Sequence, residues 1–260
     1  MSSAAIRRAA RFSSDLGAAL GGLGLLVGLW AAAAAGLGNP VLLPSPWEVA
    51  GVAGEVALSP AFIRDLGASL RRVLGGYALA SVAAVPLALA MAAWGPLRRS
   101  LLPVVSLLRP IPPIAWIPLA ILWFGLGDAP SFFITAIAAF FPIFLNAFAG
   151  GLAVSRRHLD AARCLGASHR ALLLEVRLPA ALPMVVTGLR IGLGQSWMAV
   201  VTAELIAAQS GLGYMIQSNR LTLQTAHVLV GMTTIGTLGA LMTWAFTLAE
   251  SRLLVPWQEK

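Results

Sequence analysis

Six stretches of this chain stay apolar long enough to cross a lipid bilayer. A crossing helix needs about 20 mostly apolar residues. Residues 16–37, 72–94, 103–126, 130–152, 183–207 and 228–250 each meet that length. The pattern predicts an all-α integral membrane protein with six transmembrane helices. No internal repeat or low-complexity linker interrupts it. Glycine and proline are frequent inside the runs, which lipid-embedded helices tolerate where neighbours pack closely. Between the first two runs, Asn39-Pro40-Val41-Leu42-Leu43-Pro44-Ser45-Pro46 cannot continue a helix. A short surface helix is expected from Trp47, in a connector that reaches Leu66.

The first run has features of a signal peptide. Arg7, Arg8 and Arg11 make a basic start, and Ala31 to Ala35 offer small residues for cleavage. The stretch from Leu16 to Leu37 is nevertheless longer than the roughly 7–15 residues of a signal core, so an uncleaved anchor is expected. The organisation expected is an anchor and external connector over 1–66, a helical core over 67–251 and a short tail over 252–260.

Composition agrees with lipid as the solvent. Of 260 residues 58% are hydrophobic and 11% charged, against roughly 25% charged in soluble domains. The net charge of +8 fits basic loops beside an anionic membrane surface. The arginines sit in short groups between apolar runs, without the interleaved aromatics of a nucleic-acid surface. Lys260 is the only lysine, so no phosphate-cradling loop with its lysine and no catalytic Schiff base is available in the core. Cys164 is the only cysteine, and His158, His169 and His227 have no zinc-binding spacing. If ATP is used, a partner must hold it.

Basic residues also orient the chain. With the N-terminus inside, the inner segments carry Arg7, Arg8, Arg11, Arg98, Arg99, Arg156, Arg157, Arg163, Arg170, Arg177, Arg252 and Lys260. The outer ones carry Arg64, Arg71, Arg72 and Arg220. Twelve against four predicts both termini and the 153–182 loop in the cytoplasm.

That loop is the most informative stretch. It reads Asp160-Ala161-Ala162-Arg163-Cys164-Leu165-Gly166, nine residues to Val176, then Arg177-Leu178-Pro179. Asp160 suits the start of a short helix, as cap or as charge complement. Ala161 and Ala162 let a partner surface approach the backbone. Gly166 suits a left-handed helix end, Ser168 a second cap, and Pro179 and Pro183 a restart toward the membrane. An ordinary helical hairpin on the membrane surface is the plainer reading of the same residues.

This spacing resembles the signature of binding-protein-dependent ABC importer permeases: an acidic residue, two alanines, a glycine and a later aliphatic-x-Leu-Pro. Asp replaces the usual Glu, and Val the usual Ile. The resemblance continues from Ser69 to Trp257. It includes Ser69-Leu70-Arg71-Arg72-Val73-Leu74-Gly75-Gly76, Leu108-Arg109-Pro110-Ile111-Pro112-Pro113-Ile114-Ala115-Trp116-Ile117-Pro118-Leu119 and Trp123-Phe124-Gly125-Leu126-Gly127. It also includes Thr187-Gly188-Leu189-Arg190-Ile191-Gly192-Leu193-Gly194, Ala203-Glu204-Leu205-Ile206 and Ser210-Gly211-Leu212-Gly213-Tyr214. These blocks look like the sulfonate, taurine and nitrate branch. The resemblance implies the type I permease fold and a non-catalytic transport subunit in the bacterial inner membrane. It implies pairing with a second copy beside two ATPase subunits that hold ATP and magnesium, and a soluble binding protein that delivers the solute. It also implies that Asp160, Ala161, Ala162, Gly166 and Pro179 belong to the loop that docks the ATPase.

Polar residues inside the runs are functional candidates, because charge is costly at a helix centre. Arg109 is expected at the cytoplasmic interface, snorkelling. Arg190 can attract an anion or bond neighbouring carbonyls. Asn146, Gln195 and Ser196 can line a path or bond between helices. Glu204 falls near the outer mouth, where a structural bond or a contact with the binding protein suits it better than an anion. Gly188 and Gly192 read as a helix-packing seam. A secondary transporter or channel would require intramembrane acids or paired charges for ion coupling, and repeated halves, and a membrane enzyme a histidine cluster, a cysteine pair or a membrane-level acidic pair. The spans lack a central Asp or Glu, no repeat is found, and no such cluster or pair is read from the sequence.

The orientation is testable. With Cys164 replaced, a cysteine at Ser155 should react with an impermeant thiol reagent only from the cytoplasm, and one at Ser210 only from outside. Labelling of both from one side would sink the six-span topology.

Overall fold

The computed structural model describes the backbone of residues 3–258, and the side chains of residue 17 and residues 21–252. The arginines at 7, 8 and 11, together with Trp257 and Lys260, lie outside the described side chains. The described residues are helical without a strand: α1 (Ser3–Leu37), α2 (Pro46–Val56), α3 (Pro60–Ala93), α4 (Gly95–Leu108), a 3₁₀ turn (Pro113–Trp116), α5 (Ile117–Phe124), α6 (Asp128–Ala153), α7 (Arg156–Cys164), α8 (His169–Ala171), a π-helical turn (Leu172–Arg177), α9 (Leu178–Ala207), α10 (Leu212–Leu221) and α11 (Thr225–Gln258).

Four of the expected spans fall on long apolar helices. These are α3, α6, the continuous stretch His169–Ala207 that contains α9, and α11 over Thr225–Arg252. Two of them begin earlier than the sequence suggested. The connector ends before Pro60, so Arg64, Arg71 and Arg72 ride on α3, and Pro183 lies inside α9 rather than at its start. Of α1, the apolar described part is Gly21–Leu37. The expected 103–126 span is not one straight helix: α4 and the segment Pro113–Phe124 meet at 91°. Pro110, Pro112 and Pro113 account for the break, since none can donate a backbone hydrogen bond.

The chain divides into two compact units, Met1–Ser59 with Ser218–Val230, and Pro60–Gln217 with Gly231–Lys260. In the first, Ser45 caps α2. Its hydroxyl accepts from the Glu48 N–H at 3.3 Å, while the Ser45 N–H donates to Glu48 Oε2 at 2.7 Å. This reciprocal box, with Pro46 in the first turn, starts the helix expected near Trp47. Trp30 Nε1 donates to the Pro44 carbonyl at 3.0 Å, tying α1 to the proline-rich connector.

The second unit is built on α3, α6 and α9. Small residues let these helices approach closely. Ala80, Ala84 and Ala88 of α3 meet Ala139, Ile143, Phe144 and Ala147 of α6, and Ala181 and Val185 of α9 complete the cluster. A Cβ placed on Gly188 would come within 2.8 Å of Asn146 Cβ, and one on Gly192 within 2.7 Å of Ile143 Cγ1. The seam read from the sequence is therefore the α6–α9 contact. α11 adds Ile235, Leu238, Met242 and Phe246 against Val73, Leu193, Trp197 and Val200.

A polar node closes one end of the three-helix core. The Arg72 side chain, 1% exposed, pairs with both Asp128 at the start of α6 and Glu204 near the end of α9. Its Nη1 donates to Glu204 Oε1 at 2.7 Å and its Nε to Asp128 Oδ1 at 2.8 Å. Arg71 also pairs with Asp128. Ser69 Oγ donates to Glu204 Oε2 at 2.8 Å, and the Gly213 N–H donates to the same oxygen at 2.9 Å. Arg72 further donates to the Ser210 carbonyl and hydroxyl. Since Ser210 is occupied in this way, exposed Gln224, expected on the same outer side from the arginine distribution, is the better position for the labelling test.

Removing one member of a buried pair leaves the other charged and unpaired, at a cost of about 3–5 kcal/mol. Arg72→Met should destabilise the chain by that amount in a mixed-micelle SDS titration. Arg71→Met, whose side chain is 63% exposed, should cost less than about 1 kcal/mol.

Candidate coupling surface and solute path

At the opposite end of the core, α6 stops at Ala153 and the chain enters α7. Leu159 is its buried anchor, 6% exposed. Ala161 is exposed, Ala162 half-buried, and Leu165 projects at 88% exposure. The helix ends in a paired-bond cap. The Gly166 N–H donates to the Arg163 carbonyl at 2.9 Å, and the Ala167 N–H to the Ala162 carbonyl at 3.0 Å. Gly166 has φ +81°, the left-handed geometry this cap demands. The helix end expected at Gly166 is thus present.

Asp160 departs from its expectation. It lies in the middle of α7, too far along to cap the start, and pairs with Arg163 at 2.8 Å across an exposed surface. Ser155 occupies the N-cap position. Ser168 does cap α8, its hydroxyl accepting from the Ala171 N–H at 3.2 Å. The π-helical turn then leads directly into α9, with Pro179 in the first turn. Arg177 Nη1 donates to the Gly151 carbonyl at 2.8 Å, binding the return arm of the hairpin to the end of α6. A polar cleft of about 390 Å³ opens here, lined by Arg98, Arg156, Asp160, Arg163 and Arg177.

The polar residues of the spans separate by environment. Ser196 is fully buried, and its hydroxyl donates to the Gly192 carbonyl at 2.9 Å. Asn146 Nδ2 donates to the Pro142 carbonyl at 2.8 Å. Arg190 donates to Glu250 Oε2 at 3.1 Å, so its charge is balanced by α11. Gln195 is exposed and lines two adjoining cavities of about 350 and 230 Å³, which also share Pro113 and Ala138. Arg109 lines the larger one beside Phe141, Pro142 and Ile191. It therefore sits at the bend against the middles of α6 and α9, rather than snorkelling at the core end that holds α7.

The pairing of Arg72 with Asp128 and Glu204 was missed in the sequence. Its available signal was the isolation of Glu204, the only acidic residue in α9. Likewise, Glu250 was not matched to Arg190. Their separation of 60 positions hides the partnership until the helices pack.

A charge-poor helical core with a broken span and an exposed helical hairpin at one end defines a membrane-embedded permease. The chain belongs to the family of binding-protein-dependent transport system inner membrane components, whose profile matches residues 76–255. It is 38% identical over 238 residues to the taurine transport system permease protein of Escherichia coli (strain K12), covering 90% of this chain and 86% of that one. It is 30% identical over 247 residues to the nitrate import permease protein of Synechocystis (strain PCC 6803), covering 92% and 89%. A solved structure of the MetNI methionine ABC transporter in inward-facing conformations shares the fold, with a TM-score of 0.64 at 20% identity, covering 75% of this chain and 94% of that one.

The cap at Gly166 yields a local prediction. A side chain in left-handed geometry costs about 1–2 kcal/mol. Gly166→Val should raise amide exchange at residues 161–167 by roughly tenfold or more and leave α3, α6 and α9 protected. Unchanged exchange there would show that the cap does not limit the helix.

Proposed function

We propose that this permease forms the translocation path for a small anion in an ATP-driven importer of the bacterial inner membrane, with both termini cytoplasmic. The observation that carries this reading is α7. It is a short helix with exposed Ala161, a half-buried Ala162 and a sharp cap at Gly166, anchored by buried Leu159, and the turn that follows it is tied to α6 by the Arg177–Gly151 bond. Ala161 and Ala162 present nearly bare backbone, and exposed Leu165 offers apolar area beside them. Such a surface suits insertion into a groove of the ATPase subunit, which holds ATP and magnesium.

In this reading, a binding protein delivers the solute and nucleotide-driven movement of the ATPases displaces α7. The rigid α3–α6–α9 core passes that movement to the far end. A second copy of the chain completes the path, and Asn146, Arg190, Gln195 and Ser196 supply its polar candidates. Gln195 is the foremost, since it faces the two cavities. Ser196 and Arg190 are better suited to holding α9 in place. The taurine and nitrate named for two relatives support a small oxyanion or sulfonate as the class of solute.

Docking is tested with Ala162→Trp and Gly166→Val in the assembled transporter. Both should reduce co-purification of the ATPase and solute uptake by roughly tenfold or more, as expected when a packed interface is overfilled. Membrane abundance should stay near normal, because neither residue lies in the core. Full co-purification with full uptake in both variants would remove α7 as the coupling element.

A further inference from the structure

Arg109 has no balancing charge among the described residues. It follows the last residue of α4 and precedes three prolines in four positions, Pro110, Pro112 and Pro113. The chain bends there by 91°. Among the described residues its exposed guanidinium has neither a hydrogen bond nor an ion pair, whereas Arg72 is paired with Asp128 and Glu204, and Arg190 with Glu250.

Its depth makes this informative. The cavity beside Arg109 is lined by Pro142, the fifteenth of 26 residues in α6, and Gln195, the eighteenth of 30 in α9. An unpaired arginine at that height is costly against lipid, so it marks a water-filled cavity or a ligand pathway. The prolines reinforce the point: non-helical backbone at membrane depth is tolerated against protein or a wet cavity. The two adjoining cavities follow α9 from Ile191 to Thr202, about 16 Å at 1.5 Å per residue. Apart from Arg109 and Gln195 the larger one is lined by apolar side chains, Ile137, Phe141 and Leu145 among them, and Thr202 adds a hydroxyl to the smaller one.

We propose that Arg109 is the anion-recognising residue of the solute path, with Gln195 as its polar companion. The planar guanidinium fork matches a sulfonate or other oxyanion head. The Gln195 amide supplies a further donor, and the apolar wall accepts a short carbon tail. This assignment rests on the path proposed above. It gives the bend a role: the break in the helix brings a fixed positive charge to the middle of the bundle.

The first test needs neither ATPase nor transported solute. In the full chain with Cys164→Ser and Gln195→Cys, reconstituted in nanodiscs, two methanethiosulfonates are compared, one carrying a sulfonate and one a trimethylammonium. The sulfonate reagent should react faster at position 195. Replacing Arg109 by Gln, or by Met in a second variant, should lower the sulfonate-to-ammonium rate ratio about tenfold, while Arg109→Lys preserves most of it. A ratio unaffected by Arg109, or a thiol unreactive to both reagents, would overturn the proposal.

The second test uses the assembled transporter in proteoliposomes. Arg109→Gln should reduce uptake of taurine or nitrate, whichever the wild type carries, by roughly tenfold. Binding-protein-stimulated ATP hydrolysis should stay within about twofold, since the coupling end is untouched. Unaltered uptake would reject the role. A wild type that shows the Arg109-dependent labelling ratio but no ATP-driven uptake would instead support the anion site and reject the importer assignment.

Discussion

The guanidinium of Arg72 is the constraint on which the far end of the core depends. It is a charge placed almost entirely out of water, and it is tolerated because two carboxylates and the Ser210 backbone surround it. Each partner lies on a different part of the chain. Asp128 fixes where α6 begins, Glu204 fixes where α9 finishes, and Ser210 holds the loop that follows. Satisfying one side chain therefore sets the axial register of three helices at once. The small-residue seam at Gly188 and Gly192 fits by shape, and the node adds directional bonds to that fit.

The glycines near this node follow from the same demand. Gly211 has φ +111°, and a Cβ there would lie 2.4 Å from Glu204 Cδ. One on Gly213 would lie 2.6 Å from Glu204 Cβ. The loop can wrap around the carboxylate only because both positions lack side chains. The Gly211 N–H also donates to Asp65 at 2.9 Å, and the Leu212 N–H to Ser69 at 2.8 Å, so the turn is pinned from α3 as well. The Ser210-to-Tyr214 block, which reads in sequence as a family trait, is in physical terms the sleeve around a buried acid.

Much of the fold was legible because lipid imposes a simple length rule. α3, α6, α9 and α11 could be read as apolar runs, and α2 as a helix following prolines. Gly166 was legible as well, since a left-handed cap has a narrow residue preference. What escaped were relations between distant positions. Nothing local joins Arg72 to Glu204, or Arg190 to Glu250. The 103–126 run was misread because hydropathy records apolarity but not direction, and the prolines after Arg109 turn the chain through nearly a right angle. Asp160 was misplaced because helix starts are ambiguous when Ser155, with a residue suited to capping, lies five positions earlier. The polar path candidates were visible as residue types. Their separation into buried Ser196, paired Arg190 and cavity-lining Gln195 required the packed helices.

The π-helical turn at Leu172–Arg177 has a consequence for how this chain tolerates length change. Such a turn bonds each residue to one five positions away, so it holds one residue more than an α-helical turn. Deleting one residue there would let the segment relax to ordinary α-helix, while the faces of α9 beyond it kept their orientation toward α3 and α6. The same deletion between Ser155 and Leu159 would rotate Leu159 out of its socket by about 100°. Within a single hairpin, one arm can thus absorb a lost codon, and the other has no slack to do so.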